Sequence, residues 1–307
     1  MPFMGVVVQL RGGLGNQLFQ YAAGVGLSTR LDTELYLDRS LLPPVSHTRN
    51  GISRWPEQIS SFDHAGTFIG QPGGQDLRSR ASRYRAQLER TVGDSRWSRA
   101  LGSRVYARET REDAVAFTRQ AARITRINAY CSAPVFFEPH GETIAGQIRA
   151  VREPGEWYLA ERERLLAAGA IALHVRWGDY LNLRAVYGEI PASYYRRAVE
   201  VIERTVGAGR PVWLFSDDPA GASAFLEGAI RLDRVVDPPE ESTPLENLLL
   251  LGSASALVGA NSTFSWWAAY LADAAPGSVV FPRPLFGQAG PPEPRDWLRP
   301  DWLQLGR

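Results

Sequence analysis

The prediction of the fold depends first on the stretch Ala170-Ile171-Ala172-Leu173-His174-Val175-Arg176-Trp177-Gly178-Asp179-Tyr180. The apolar run from Ala170 to Val175 predicts a buried strand. His174 and Arg176 are two residues apart, so in a strand their side chains point to the same face. Because a guanidinium fork matches two phosphate oxygens, Arg176 is a candidate for binding an anion. A structural ion pair between Arg176 and Asp179 is the alternative, and the residue types alone do not separate the two.

Strands and helices alternate through the rest of the second half. The pattern predicts strands at 211–215, 234–237, 257–260 and 279–281, and helices at 158–168, 193–206, 220–226, 244–253 and 264–272. This spacing indicates a doubly wound α/β domain, whose ligands bind beyond the carboxyl ends of the strands. We therefore expect one crevice to gather the polar residues at those ends, which are His174, Arg176, Asp179, Ser216, Asp217, Asn261, Ser262 and Thr263.

The first half opens with a strand at 6–10, a glycine loop and a helix that we expect from Leu18, followed by a second strand at 34–38. A βαβ unit of this kind implies a parallel sheet. Gly13 and Gly15 allow a ligand to approach the backbone, and Asn16 and Gln17 supply donors and acceptors there. Leu18 stands where a dinucleotide fingerprint has its third glycine, so close packing of helix on strand is not expected and the nicotinamide signal is weak.

A polar, turn-rich break at 152–156 predicts a domain boundary. We expect an N-terminal α/β domain over residues 1–154 and a C-terminal nucleotide-binding domain over residues 155–307. An arginine-rich, helical insertion is predicted at about 77–120. Its arginines indicate either an exposed helical face or a contact with an anionic acceptor or a membrane surface.

Composition excludes several classes of protein. All 34 basic residues are arginines, so a Walker A lysine, a Schiff base and a pyridoxal site are ruled out. Cys131 is the single cysteine, which excludes an internal disulfide and favours a reducing cytoplasm. A net charge of +1 argues against a nucleic-acid partner. No run reaches the ~20 apolar residues of a membrane span, so we expect a globular, cytoplasmic protein.

The stretch Asn261-Ser262-Thr263-Phe264-Ser265-Trp266-Trp267 lies where a predicted strand turns into a helix. Hydroxyls and backbone N–H groups at a helix N-terminus form an anion site. A simple N-cap by Ser262 or Thr263 is the alternative. No Asp-x-Asp sequence occurs, and the four histidines are scattered along the chain, so we predict no metal site.

Four motifs together resemble, in their order, those of glycosyltransferase family 11, which includes the bacterial α-1,2-fucosyltransferases. The motifs are Gly12-Gly13-Leu14-Gly15-Asn16-Gln17-Leu18-Phe19-Gln20-Tyr21-Ala22, His174-Val175-Arg176-Trp177-Gly178-Asp179-Tyr180, Phe215-Ser216-Asp217-Asp218 and Ala260-Asn261-Ser262-Thr263-Phe264-Ser265-Trp266-Trp267, and the tail at 299–303 is similar as well. The resemblance implies a GT-B-like architecture of two Rossmann-like domains facing a cleft. It also implies an inverting enzyme without metal or cofactor, which transfers fucose from GDP-fucose to a hydroxyl such as the 2-OH of a galactose-type sugar.

The resemblance assigns roles to individual residues. Arg176 would grip the donor diphosphate, and Asn16 would lie across the cleft near the acceptor and the transferred sugar. Asp179 is our first expectation for a general base and Glu189 the second. The donor would be contacted by His174 and Asp217, at guanine or ribose, and by Ser216, Asn247, Asn261, Ser262, Thr263 and Phe264.

Two residues depart from the family pattern. Trp177 stands where relatives carry a second arginine, and Asn247 stands where an aspartate would receive guanine N–H groups. An uncharged amide accepts weaker hydrogen bonds than a carboxylate. A transferase that uses another sugar nucleotide is therefore a competing prediction.

Two further alternatives come from other classes. A nicotinamide oxidoreductase would use the glycine loop for the cofactor and Asp38 for its ribose. A non-catalytic carbohydrate-binding protein would stack sugars on some of the nine tryptophans. Neither the acceptor nor the oligomeric state can be predicted from the sequence.

Overall fold

The structure is a computed structural model that describes residues 5–49, 52–74, 126–178, 184–272, 274–288 and 297–307, with residue 290 and a few isolated positions between 80 and 117. It divides into two compact units, residues 1–150 with 294–297 and residues 151–293 with 298–307. The predicted arginine-rich helices at 77–120 lie almost entirely outside the described residues. No helix among the described residues has both the length and the apolar character needed to cross a membrane.

The first unit contains a five-stranded sheet whose paired strands all run parallel, in the order β5-β2-β1-β7-β6. Its strands are β1 (Gly5–Gln9), β2 (Glu34–Asp38), β5 (Thr67–Ile69), β6 (Val105–Tyr106) and β7 (Arg126–Ile127). A separate antiparallel pair is formed by β3 (His47–Arg49) and β4 (Ile52–Arg54). The unit also contains the α-helices α1 (Leu14–Leu31) and α2 (Gly141–Arg149).

Helix α1 starts earlier and packs closer than the sequence predicts. It begins at Leu14, so Gly15, Asn16 and Gln17 form its first turn instead of a loop. Close contact between helix and sheet is supplied by Gly24, where a Cβ atom would lie 2.6 Å from Val8 Cγ2. Leu18 at the third fingerprint position therefore did not prevent close packing, because a glycine further along the helix provides it.

The second unit contains a six-stranded parallel sheet in the order β10-β9-β8-β11-β12-β13. Its strands are β8 (Ile171–Val175), β9 (Val212–Ser216), β10 (Arg234–Val235), β11 (Ala256–Val258), β12 (Val279–Arg283) and β13 (Leu303–Gly306). Its helices are α3 (Glu156–Ala168), α4 (Arg184–Tyr187), α5 (Ala192–Val206), α6 (Pro219–Leu226), α7 (Pro244–Gly252) and α8 (Thr263–Leu271). The predicted α/β class with two Rossmann-like, parallel-sheet units is confirmed.

Strand order reverses between β8 and β11. From β8 the chain proceeds outward through β9 to β10, and then returns to the other side of β8 as β11. Open α/β sheets bind ligands at such a reversal, outside the carboxyl ends of the strands. The predicted helices and strands of this unit match the observed ones closely. Strand β10 is two residues shorter than predicted, and β13 was not predicted, because its residues are only partly buried and give no apolar run.

Candidate functional site

Arg176 follows β8 and forms an ion pair with the neighbouring strand end. Its Nη1 atom lies 3.0 Å from Oδ2 of Asp217, which follows β9, and both side chains are 18 % exposed. Asp217 Oδ1 also accepts a hydrogen bond from the Trp177 N–H, at 2.8 Å. The carboxylate that pairs with Arg176 is thus Asp217, whereas Asp179 lies outside the described residues. Two strand ends are joined by one half-buried charge pair.

His174 is buried within the protein at the reversal of strand order. Its Nδ1 lies 2.5 Å from Ser265 Oγ of α8, and its ring stacks on Phe264 with centroids 5.5 Å apart. Burial lowers the pKa of His174 to about 4, with Asp217 opposing and Arg176 adding to this shift. The imidazole is therefore neutral at pH 7, and Nδ1 is used to join β8 to α8.

The N-terminus of α8 is capped by Ser262, whose Oγ accepts the Phe264 N–H at 3.2 Å. The N-cap considered for this stretch is therefore present. A cap does not exclude an anion site, because it satisfies only one of the N–H groups of the first turn. Among the described residues, no acceptor bonds the backbone N–H groups of Thr263 and Ser265. These two donors lie one strand away from Arg176.

Asn261 is buried and uses its amide within the protein. Its Nδ2 donates to Tyr187 O at 2.7 Å and to Leu285 O at 2.8 Å. Both N–H groups of the side chain are thereby used, so a ligand cannot be bound through them without loss of these bonds. The structure therefore places Asn261 beside the site but gives its amide nitrogen a structural role.

Asn247 lies on α7, directly after a capping box formed by Thr243 and Glu246. Its Nδ2 donates to Ser242 Oγ at 3.2 Å. Its Oδ1 is buried and accepts no hydrogen bond from any residue that the structure describes. A buried acceptor without a donor costs free energy, so this atom is suited to a ligand N–H.

Residues at and just after the end of β9 are hydrogen-bonded to one another. Ser216 Oγ accepts the Asp218 N–H at 3.1 Å, and Asp218 caps α6 by accepting the Gly221 N–H at 2.9 Å. The Trp177 ring packs against Phe225 of α6 in a tilted arrangement, with ring centroids 4.3 Å apart. Trp177 thus contributes an apolar contact next to the charge of Arg176.

The glycine turn of the first unit is held by Gln17. Gln17 Nε2 donates to Gly12 O at 2.9 Å and to Pro56 O at 2.8 Å, and Gln17 Oε1 accepts the Gln58 N–H at 3.0 Å. These bonds hold the half-buried Trp55, whose ring would lie 3.2 Å from a Cβ on Gly13. No described residue hydrogen-bonds the Asn16 side chain. Trp55 was not predicted from the sequence. A large aromatic residue within the polar stretch Arg54-Trp55-Pro56-Glu57 was the feature that could have indicated it.

Asp38 does not suit the role that a nicotinamide enzyme would require. Its side chain is buried, with Oδ1 accepting the Ser40 N–H at 3.0 Å and Oδ2 lying 3.3 Å from Arg126 Nη2. The same Nη2 donates to Gln9 Oε1 at 2.7 Å. A carboxylate enclosed in this way is not presented to a ribose, which counts against the oxidoreductase.

Comparisons with known proteins agree with the geometry of the second unit. The model of Glycosyl transferase family 11 matches residues 166–289. An Alpha-1,2-colitosyltransferase of Escherichia coli is 24 % identical over 96 % of this chain and 98 % of its own length. The O-antigen biosynthesis glycosyltransferase WbnK of Escherichia coli is 27 % identical over 90 % of this chain and 93 % of its own.

A solved structure shares the fold. The structure of a mutant of FUT1 from Arabidopsis thaliana, in complex with GDP, is similar with a TM-score of 0.51. It is 13 % identical, and the match covers 95 % of this chain and 76 % of the other. At this identity the likeness concerns the fold alone, and it supports the GT-B-like class. The resemblance to glycosyltransferase family 11 is confirmed, with the family's model matching residues 166–289, and the chain is an enzyme that transfers a sugar.

Proposed function

We propose that the protein is an inverting glycosyltransferase that transfers fucose from GDP-fucose to a hydroxyl of a glycan or glycoconjugate, the 2-OH of a galactose-type sugar. We further propose that it acts in the cytoplasm without a metal ion or cofactor. The observation that carries this proposal is the Arg176–Asp217 pair at the carboxyl end of β8, the strand beside the reversal of strand order, in a segment that matches family 11. An arginine at this position meets a diphosphate at the place where open α/β sheets bind nucleotides.

Arg176 and the first turn of α8 would stabilise the leaving group. As the bond from the anomeric carbon to the β-phosphate oxygen breaks, its electron pair stays on GDP. Arg176 and the backbone N–H groups of Thr263 and Ser265 are donors for that charge. The acceptor oxygen forms the new bond on the opposite face, and its proton passes to a base, for which Asp179 is our proposal and Glu189 the second choice.

Recognition of the nucleoside would involve Asn247. Its buried Oδ1 lacks a donor among the described residues and would accept an N–H from guanine. Ser216, Phe264 and the stacked His174 would surround the rest of the donor, while Asp217 keeps Arg176 oriented. His174 would help to form the wall of the donor site without adding a positive charge, because its imidazole is neutral at pH 7.

The acceptor would be held by the glycine turn of the first unit. Asn16 carries an amide that no described residue hydrogen-bonds, and Trp55 offers a half-buried indole beside Gly13. Amides that bind hydroxyls and aromatic rings that stack on sugar faces are the usual means of binding carbohydrates. Gln17 would act indirectly, by fixing the segment that carries Trp55.

A related sugar nucleotide is the second candidate donor. One relative is named a colitosyltransferase, and Asn247 is neutral where family members carry a charged acceptor. Incubation of the protein with a panel of sugar nucleotides and galactose-terminated acceptors, followed by mass spectrometry, distinguishes these donors. We expect addition of one deoxyhexose from GDP-fucose, with the anomeric configuration inverted and activity unaffected by EDTA. Addition of a different sugar from the panel favours the second candidate.

Binding experiments separate the remaining classes. GDP should raise the melting temperature, whereas NADPH should not, because only a true ligand stabilises the folded state. Stabilisation by NADPH alone would establish an oxidoreductase. Sugar binding without release of nucleotide from any donor would instead identify a carbohydrate-binding protein.

A further inference from the structure

The departing diphosphate of the proposed reaction needs more positive charge than Arg176 provides. The Arg176 guanidinium already faces the carboxylate of Asp217 at 3.0 Å, so the pair is close to neutral. Trp177, the next residue, contributes an apolar contact with Phe225. The leaving GDP gains negative charge as its bond to the sugar breaks, and a cation in the site is the direct way to stabilise that charge.

A second arginine lies beside the first. A small cavity at the carboxyl end of β8 is lined by residues that include Arg176, Trp177, Arg184, Gly188 and Glu189. Arg184 is the first residue of α4 and is exposed. No hydrogen bond or ion pair joins its guanidinium to another residue of the described part of the chain. Arg184 thus lines the same cavity as Arg176 and carries a charge that no described residue neutralises.

The segment that carries Arg184 is fixed by bonds from two distant parts of the chain. Asn261, after β11, donates to Tyr187 O at 2.7 Å, and the Gly287 N–H donates to Val186 O at 2.8 Å. Gly287 packs so closely that a Cβ atom there would lie 2.6 Å from Ala185 O. A four-residue helix is too short to be stable alone, so these contacts define its position.

We propose that Arg184 is a second cation for the diphosphate and that Asn261 is the positioning residue that holds it beside Arg176. The proposal rests on the glycosyltransferase function proposed above. It explains why the buried amide of Asn261, at the reversal of strand order, donates both of its N–H groups to backbone carbonyl groups. It also gives the site a charge that Trp177 does not supply.

The test compares GDP with GMP. Arg184→Ala should weaken GDP binding about five- to twentyfold, because a charge-assisted bond to phosphate is lost from a partly solvated site. GMP binding should be almost unchanged, since Arg184 acts on the second phosphate. Arg184→Lys should recover a large part of the GDP affinity, because a point charge suffices at this position. Isothermal titration calorimetry on the full chain measures the GDP and GMP affinities of the wild type and of both variants.

Two further variants complete the test. Arg196→Ala removes an exposed arginine of α5 that pairs with Glu200, and it should leave GDP binding at the wild-type level. Asn261→Asp keeps the side-chain shape but removes the two N–H donors, and it should reduce the ratio of GDP to GMP affinity as Arg184→Ala does. Its melting temperature is measured in parallel, to show that the variant folds.

The outcomes separate the two proposals. Wild-type GDP affinity in Arg184→Ala overturns the role of Arg184 and leaves the glycosyltransferase function standing. An equal loss of GDP and GMP affinity also overturns it, because the residue would then act on the whole fold or on the nucleoside. Failure of the wild-type protein to bind GDP overturns both proposals.

Discussion

The carboxyl edges of the two sheets differ in how their charges are used. In the first unit, Asp38 and Arg126 are buried and bonded to each other, with Gln9 beside them. In the second unit, Arg176 and Asp217 are each 18 % exposed, and Asn247 Oδ1 accepts no bond from the described residues. Both sheets are parallel and reverse their strand order beside their first strand, but one edge satisfies its polar groups internally and the other leaves groups for a ligand. Substitution of equivalent residues should therefore affect stability in the first unit and activity in the second.

The largest effect is expected for Arg126→Ala. The substitution leaves the Asp38 carboxylate buried without its ion pair, which should cost about 3–5 kcal/mol of unfolding free energy. Chemical denaturation measures this loss. The double variant Arg126→Met with Asp38→Asn removes both charges and should recover most of it. A stable Arg126→Ala protein with impaired turnover would contradict the distinction between the two edges.

Arg176→Ala should behave in the opposite way. Loss of one preorganised donor should reduce kcat about 10²–10³-fold, with little change in melting temperature because the pair is partly solvated. Arg176→Lys should be almost as inactive, since a lysine cannot provide the guanidinium fork. Steady-state kinetics with the identified donor gives the comparison. If the lysine variant keeps most of the wild-type turnover, recognition of the diphosphate through a guanidinium fork is wrong.

His174 should make the protein less stable in acid. Its pKa is about 4 in the folded state and ~6.5 in the unfolded state. Below pH 6.5 only the unfolded state takes up the proton, so this group destabilises the fold by about 3 kcal/mol as the pH falls from 6.5 to 4.

The variant His174→Gln isolates this contribution. Its amide can keep a hydrogen bond to Ser265 but does not titrate. Between pH 6.5 and pH 4 its unfolding free energy should therefore fall less steeply than that of the wild type. Above pH 7 the two proteins should show the same slope, which serves as the control. Parallel slopes in acid would show that His174 does not titrate with a lowered pKa.

The smallest effect concerns the packing of α1. Gly24→Ala should destabilise the protein by about 1–3 kcal/mol, because the added methyl group would overlap Val8 and Leu35. Gly146→Ala in α2 is the matched control, since nothing lies within 4 Å of its Cβ position. It should stabilise the fold by roughly 0.5–1 kcal/mol through helix propensity. Equal effects of the two substitutions in thermal unfolding would contradict the packing argument.

Sequence reasoning predicted the second unit better than the first. Its strands β8, β9, β11 and β12 are mainly buried apolar runs, and helices follow them at regular intervals, so the hydrophobic pattern and the turn residues were enough to predict these elements. Arg176 and Ser262 follow two strands of one sheet, as predicted, and the structure shows that these strands, β8 and β11, are neighbours. The ion-pair partner of Arg176 was not foreseen, because Asp217 is 41 residues away and only the pairing of β8 with β9 brings the two together.

Residue types and their order were sufficient for the α/β class, the exclusion of lysine chemistry and the family resemblance, because these properties depend on local pattern and composition. The hydrogen-bond partners of each polar side chain could be assigned only from the folded structure. Asn261 was expected to bind the donor, and its two side-chain N–H groups bond Tyr187 and Leu285, which the sequence did not predict. Trp55 and Arg184 were not among the predicted site residues. Hydrogen bonds between residues distant in sequence decide which polar groups are satisfied internally, and a sequence pattern records no such distances.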